Sequence, residues 1–181
     1  MTDINKLIEE IIPPADYQNR NGFSNENIIL SLSEQEKLEV EDRLIKMLAN
    51  SNDELIGETL VILKSKKALP VLNNKLSKAE KPNLRIIWAS YINEIENGND
   101  QMKNIGFEEF KKVSEKYSLI EVFYYASRFN DSRINSEIKK FINDKDYLIA
   151  YNARRCLGLS TKEIQGNKIK KHKEKWWQFW K

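Results

Sequence analysis

Aliphatic pairs return at nearly regular intervals along this chain: Leu55-Ile56, Ile86-Ile87, Leu119-Ile120 and Leu148-Ile149, separated by 31, 33 and 29 residues. Each pair opens a stretch whose apolar residues recur every three or four positions: ELIGETLVILKS, LRIIWASYINEI, SLIEVFYYASRF and YLIAYNARRCLG. That period fits the 3.6-residue turn of an α-helix and not the two-residue alternation of a strand. Asp53 and Asp146 stand two places before the first and last pairs. There a carboxylate accepts from the free N–H groups of a starting helix and meets the positive end of its dipole.

A second amphipathic pattern follows each of the first three. It places Ala68, Leu69, Leu72 and Leu76 on one side of ALPVLNNKL, Phe107, Phe110, Val113 and Tyr117 on one side of FEEFKKVSEKY, and Ile134, Ile138, Phe141 and Ile142 on one side of INSEIKKFI. Short polar breaks at KSKKA, AEKPN, NGND, RFNDS and NDKD separate the helices. An earlier helix over 33–50 brings Leu38, Leu44, Ile45 and Leu48, and opens on a capping box in which Ser33 caps and Glu36 reaches back. Segment 13–32, with its Pro13-Pro14 pair and NRNG, reads as irregular connection.

One helix pair cannot bury its own apolar stripe, so such units stack on their neighbours. The pattern therefore predicts an all-α fold of about eight to ten helices. Its expected form is a short right-handed-type solenoid of antiparallel helix pairs. A single helical-repeat domain is expected over 1–167, with an N-terminal extension over 1–32 and repeats over about 33–158. A basic aromatic tail over 168–181 falls outside the repeat.

Over about residues 34–158 the pattern resembles the HEAT and armadillo-like α-solenoids, whose repeats pair an outer with an inner helix. Pro70 in KALPVL resembles the A-x-P-x-L pattern common in the second helix of HEAT units. The resemblance implies a module that binds other macromolecules, as adaptors do, or as small bacterial immunity proteins do when they neutralise a toxin domain. It also implies an alternative, because some HEAT-like proteins are DNA glycosylases that hold a damaged base against tryptophan, aspartate and arginine. Trp88 is the one tryptophan outside the tail, and its apolar setting in RIIWASY reads as core packing. Lysines on the second helices (Lys75, Lys78, Lys111, Lys112, Lys139, Lys140) are interrupted by Glu108, Glu109, Glu115 and Glu137, a poor track for phosphates.

Composition adds a charge gradient. The net charge of +3 conceals 5 Lys/Arg against 13 Asp/Glu in residues 1–60, and six lysines against one glutamate in 168–181. Glu36, Glu39, Glu41 and Asp42 crowd one helix of the acidic third, the face expected to meet a basic protein partner. No secretory leader and no run of about 18 apolar residues is evident, so a cytoplasmic location is expected. The single cysteine, Cys156, leaves no intrachain disulfide.

Signatures of chemistry are missing. His172 sits among lysines without a cysteine or carboxylate cluster, Cys156 has no histidine beside it, and neighbouring carboxylates such as Glu9-Glu10 diverge on a helix. No phosphate loop, dinucleotide fingerprint or zinc peptidase motif occurs. The expectation is a protein-binding module without catalytic, cofactor or metal residues, and without a small-molecule substrate.

The ending, KEKWWQFWK, is the strongest candidate docking element. On a helix over 168–181, Ile169, Trp176 and Trp180 share a face, with Trp177 and Phe179 at its edges and Lys170, Lys171, Lys175 and Gln178 opposite. Such a segment suits a membrane interface, where indole rings settle and lysines meet anionic lipid. It equally suits covering the last apolar stripe of a repeat array. Both destinations are open from the sequence.

Overall fold

The computed structural model describes residues 3–162 and Ile164. These form eleven α-helices and one 3-10 turn, with no strand among the described residues. The helices are α1 (Ile4–Ile11), α2 (Tyr17–Arg20), α3 (Glu26–Ser31), α4 (Glu34–Asn50), α5 (Glu54–Ile62), α6 (Leu69–Lys78), α7 (Pro82–Ile95), α8 (Asp100–Phe110), α9 (Lys116–Ser127), α10 (Ser132–Lys139) and α11 (Tyr147–Cys156); the 3-10 turn spans Lys66–Ala68. No helix among the described residues is long and apolar enough to cross a membrane.

Local chemistry sets the boundaries. The capping box of Ser33 and Glu36 is formed in full, and Asp53 and Asp146 cap α5 and α11. Asp3, Asp16, Asn99, Glu115 and Asp131 do the same for other helices. Each uses a short side chain, or a glutamate folded back, to accept from otherwise orphaned N–H groups. The stops repeat as well. Lys64, Asn97, Asn130 and Gly158, which follow α5, α7, α9 and α11, all take left-handed φ angles between 51° and 68°. After three of these helices a backbone N–H then reaches five residues back, from Ser65 to Leu60, Gly98 to Asn93 and Leu159 to Arg154. This closure satisfies the last carbonyls and turns the chain sharply.

Helices α5, α7, α9 and α11 pack on one another in chain order, and α4, α6, α8 and α10 pack beside them. All four aliphatic pairs lie in the first set. Helix α7 meets α5, α6, α8 and α9. It is buried without a break from Ile86 to Asn93, so its apolar residues run all round the helix. Two close approaches depend on glycine. A Cβ on Gly57 would stand 2.6 Å from the Tyr91 ring, and one on Gly106 would stand 2.8 Å from Phe129.

Several expectations are corrected. Segment 13–32 contains α2 and α3 and is tied to the body: the buried Asn25 amide donates to the Ile11 carbonyl and to Thr59 Oγ1, at 3.0 and 2.7 Å. Arg20 grips Asp53 through two bonds of 2.7 Å while also donating to the Pro13 carbonyl. On α4 the buried stripe is Val40, Leu44 and Leu48; Leu38, 200° from Val40 around the helix, is 50% exposed. Helix α8 begins at Asp100 and stops at Phe110, because Glu115 caps a new helix, and Tyr117 therefore lies exposed on α9. Phe141 and Ile142 follow the end of α10 rather than lying on it.

Candidate functional site

The side of α9 opposite Phe123 carries a different chemistry from the rest of the surface. Phe123 packs against Phe110 of α8. At 100° per residue, Glu121, Tyr124, Tyr125 and Arg128 fall on the far side of the same helix. There they meet Glu54 and Glu58 of α5 and Tyr91 and Glu94 of α7, residues 34 to 71 positions away along the chain.

Arg128 is the hub. Its Nη1 donates to Glu58 Oε1 and its Nη2 to Glu94 Oε2, both at 3.0 Å, and Nε abuts Glu94 Oε1. The guanidinium also lies 5.0 Å from the Tyr124 ring centre, 5.8 Å from Tyr91 and 5.9 Å from Tyr125. Burial opposes its charge, but the Glu94 hydrogen bond and charge, with Tyr124 and Glu58, outweigh burial and hold its pKa above the ordinary arginine value.

Glu54 has no such cation. The Tyr125 hydroxyl donates to its Oε2 at 3.3 Å, and the buried Tyr91 hydroxyl donates to its backbone carbonyl at 3.0 Å. Burial first, then the charge of Glu121, with Asp53 and Glu58 behind, push its carboxyl up to about 7 against the pull of the Tyr125 bond. Nearby, Tyr124 donates to Glu58 at 2.8 Å yet leaves 53% of its surface exposed, and Glu121 accepts from the Asn83 amide at 2.9 Å. Carboxylates thus outnumber the one arginine here, beside aromatic rings. A second cation can be held at such a place by charge and by ring faces together.

The sequence-derived acidic face is dispersed by comparison. Glu36 is spent on the Ser33 cap and Glu39 accepts from Gln35. Glu41 and Asp42 share Lys67, at 3.2 and 3.3 Å. The tail candidates Lys170, Lys171, Trp176, Trp177, Phe179 and Trp180 lie outside the described residues. Trp88 is 2% exposed and meets Tyr91 edge-on, so it offers no free ring face to a base. Lys111, Lys112 and Lys140 pair with Glu108, Glu109 and Glu137 of their own helix turns. Cys156 is half-buried, and burial pushes its thiol up to about 11, away from nucleophilic character. Among the described residues no group of three or more histidine, cysteine or acidic side chains is placed to hold a metal ion.

An open recess of about 440 Å³ lined by Ala15, Asp16, Tyr17, Arg20, Asn21 and Gly22 is chemically spent, since Arg20 is bound to Asp53 and Asp16 caps α2. The α5–α7–α9 face escaped sequence reading because its members are scattered through three helices. One trace was available. Tyr91 and Tyr124 each stand five residues after the start of their aliphatic pair, which brings the α9 tyrosines level with α7, although the ring that Tyr91 meets is the neighbouring Tyr125, at 5.8 Å.

No protein-family model, curated protein or solved structure matches this chain.

Proposed function

We propose that this chain is a HEAT-like module, a short right-handed-type solenoid of antiparallel helix pairs, that works in the cytoplasm by binding another protein without catalysis, as an adaptor or immunity-type protein would. The repeat reading is supported by the shared left-handed closures at Lys64, Asn97 and Asn130, each 33 residues from the last, and by the placement of all four aliphatic pairs on α5, α7, α9 and α11.

One observation carries the binding reading: the α5–α7–α9 face gathers Glu54, Glu58, Glu94 and Glu121 around a single arginine with Tyr124 half-exposed beside them. Glu54 is held there against its own ionisation, and a lysine or arginine arriving from a partner would relieve the repulsion it feels from Glu121 and Glu58. The partner is therefore a protein presenting a basic, arginine- or lysine-bearing segment.

The test is affinity capture followed by titration of the recovered protein, comparing the native chain with a Glu54→Lys/Glu121→Lys variant and with a Glu36→Lys/Glu39→Lys variant. The first variant should lose a basic partner, the second should keep most of it, and binding should weaken with salt as screened charge pairs do. Equal capture by all three, or preference for duplex DNA, would reject this reading.

A further inference from the structure

Between Ile11 and Asn25 the chain makes a closed loop on the surface of the body. Its two ends are buried and joined to each other, because the Asn25 amide donates to the Ile11 carbonyl at 3.0 Å. Residues 13–24 between them add nothing to the buried core: all are exposed except Pro13, Arg20 and Phe23, which are half-buried. A loop of this size with adjoining ends is an Ω-loop, held at its neck and free to move as a unit about it. Asp16 bonds Asn19, Tyr17 bonds Asn21, and the backbone bonds from Asp16, Arg20, Asn21 and Phe23 also stay inside the loop. The Arg20 side chain reaches across to the body instead. Its Nη1 and Nη2 donate to the two Asp53 oxygens at 2.7 Å each, while Nε and Nη2 hold the Pro13 carbonyl at the base of the loop.

We propose that loop 13–24 is a lid latched by Arg20, and that its opening releases the Asp53 carboxylate to a basic partner arriving at Glu54 and Glu121. The proposal rests on the binding reading of the α5–α7–α9 face given above. An apolar tip would tie the loop down by burial. This latch is an ion pair whose side chains are 22% and 19% exposed, so water and salt compete for it. Asp53 stands next to Glu54 in the chain, and its charge already acts on that carboxyl. While Arg20 holds it, that charge is offset. Once the lid opens, the face gains a carboxylate without moving α5. Asn25 still donates to Thr59 of α5 at 2.7 Å from the closed neck, and Asp53 still caps α5 through the Leu55 N–H at 3.0 Å.

Limited trypsin digestion of the full chain reads the opening at the bond after Arg20, and the bond after Arg85, within α7, reports global unfolding. In the native chain the bond after Arg20 should be cut about 100-fold faster and with little dependence on urea, since opening one loop exposes little surface. Asp53→Asn keeps a capping side chain but removes the charge, and it should speed the cut after Arg20 about ten-fold. Added salt should speed the same cut in the native chain. Two bonds cut at one rate with one urea dependence overturn the lid, as does a cut after Arg20 that Asp53→Asn leaves unchanged. Titration with a hexalysine peptide reads the release of Asp53. Arg20→Gln should bind the peptide about three-fold more tightly than the native chain. Arg43→Gln, which removes the same charge from α4 and leaves Asp53 paired, should bind about as the native chain does. Equal gain in both variants overturns the release, and so does hexalysine that binds none of these chains. Failure of the binding reading shows separately. Glu54→Lys/Glu121→Lys then binds hexalysine as tightly as the native chain, which rejects the face as the partner's seat and leaves the lid standing on the trypsin result.

Discussion

Replacing Arg128 by methionine should be among the most damaging single changes in this protein. The guanidinium holds Glu58 and Glu94 together, and its side chain is only 17% exposed against 26% and 28% for the two carboxylates. Methionine fills most of the volume but leaves two carboxylates facing each other beside Tyr91 and Tyr125 without a cation. Removing one member of a buried ion pair costs about 3–5 kcal/mol, and because a quarter of each carboxylate reaches water the expected loss is about 2–4 kcal/mol. For a chain of this length that lowers Tm by roughly 5–15 °C. Arg128→Lys keeps the charge but cannot fork between two carboxylates, and it should fall between methionine and the native residue. Urea unfolding with a double-mutant cycle separates the ion pair from simple loss of packing. Adding Glu94→Gln to Arg128→Met should recover about 1–3 kcal/mol, because it removes the charge left stranded. A loss below about 1 kcal/mol for Arg128→Met, or no recovery in the double variant, would refute the view that Arg128 neutralises this face.

Two further outcomes follow from the same geometry. Glu54 titrates at about 7 in the folded chain against 4.5 as an ordinary glutamate, so between those values the folded state keeps a proton that the unfolded state has released; stability should fall as pH rises across that window, by at most about 3 kcal/mol, and level off above it, while Glu54→Gln should flatten the dependence measured by urea unfolding. Gly57→Ala drives a methyl into the Tyr91 ring at 2.6 Å in a fully packed place and should cost about 1–3 kcal/mol, whereas Gly22→Ala, with open space around it, should show only the strain of a left-handed backbone.

Much of the fold was written locally. The 3.6-residue recurrence of apolar positions predicted helices where α4 to α7 and α9 to α11 stand, because a helix face is set by neighbours three and four apart. The caps at Ser33, Asp53 and Asp146 were legible for the same reason, since a cap is a contact between residues two or three positions apart. The burial of Trp88 followed from its apolar surroundings on one helix. What failed was local evidence too thin to decide. Leu38 looks like core until α4 is seen to turn Val40 inward, and Tyr117 looks like the end of one stripe until Glu115 starts a new helix.

Tertiary structure alone decided the rest. Asn25 on Thr59, Arg20 on Asp53 and Gly57 under Tyr91 join segments more than thirty residues apart, and no periodicity in one segment encodes its partner. The same holds for the acidic and aromatic face. Glu54, Glu58, Glu94, Glu121 and Arg128 are ordinary charged residues of amphipathic helices when read along the chain. They become a site because three helices pack side by side at distances where charges interact strongly and water is partly excluded. The sequence by itself determined most of the helices from α4 onward and most of the sides that seek cover, while α2, α3 and the facing of Leu38 and Tyr117 were settled only by their surroundings. Packing determined which charges meet, and charge interactions depend on distance in space and not on position in the chain.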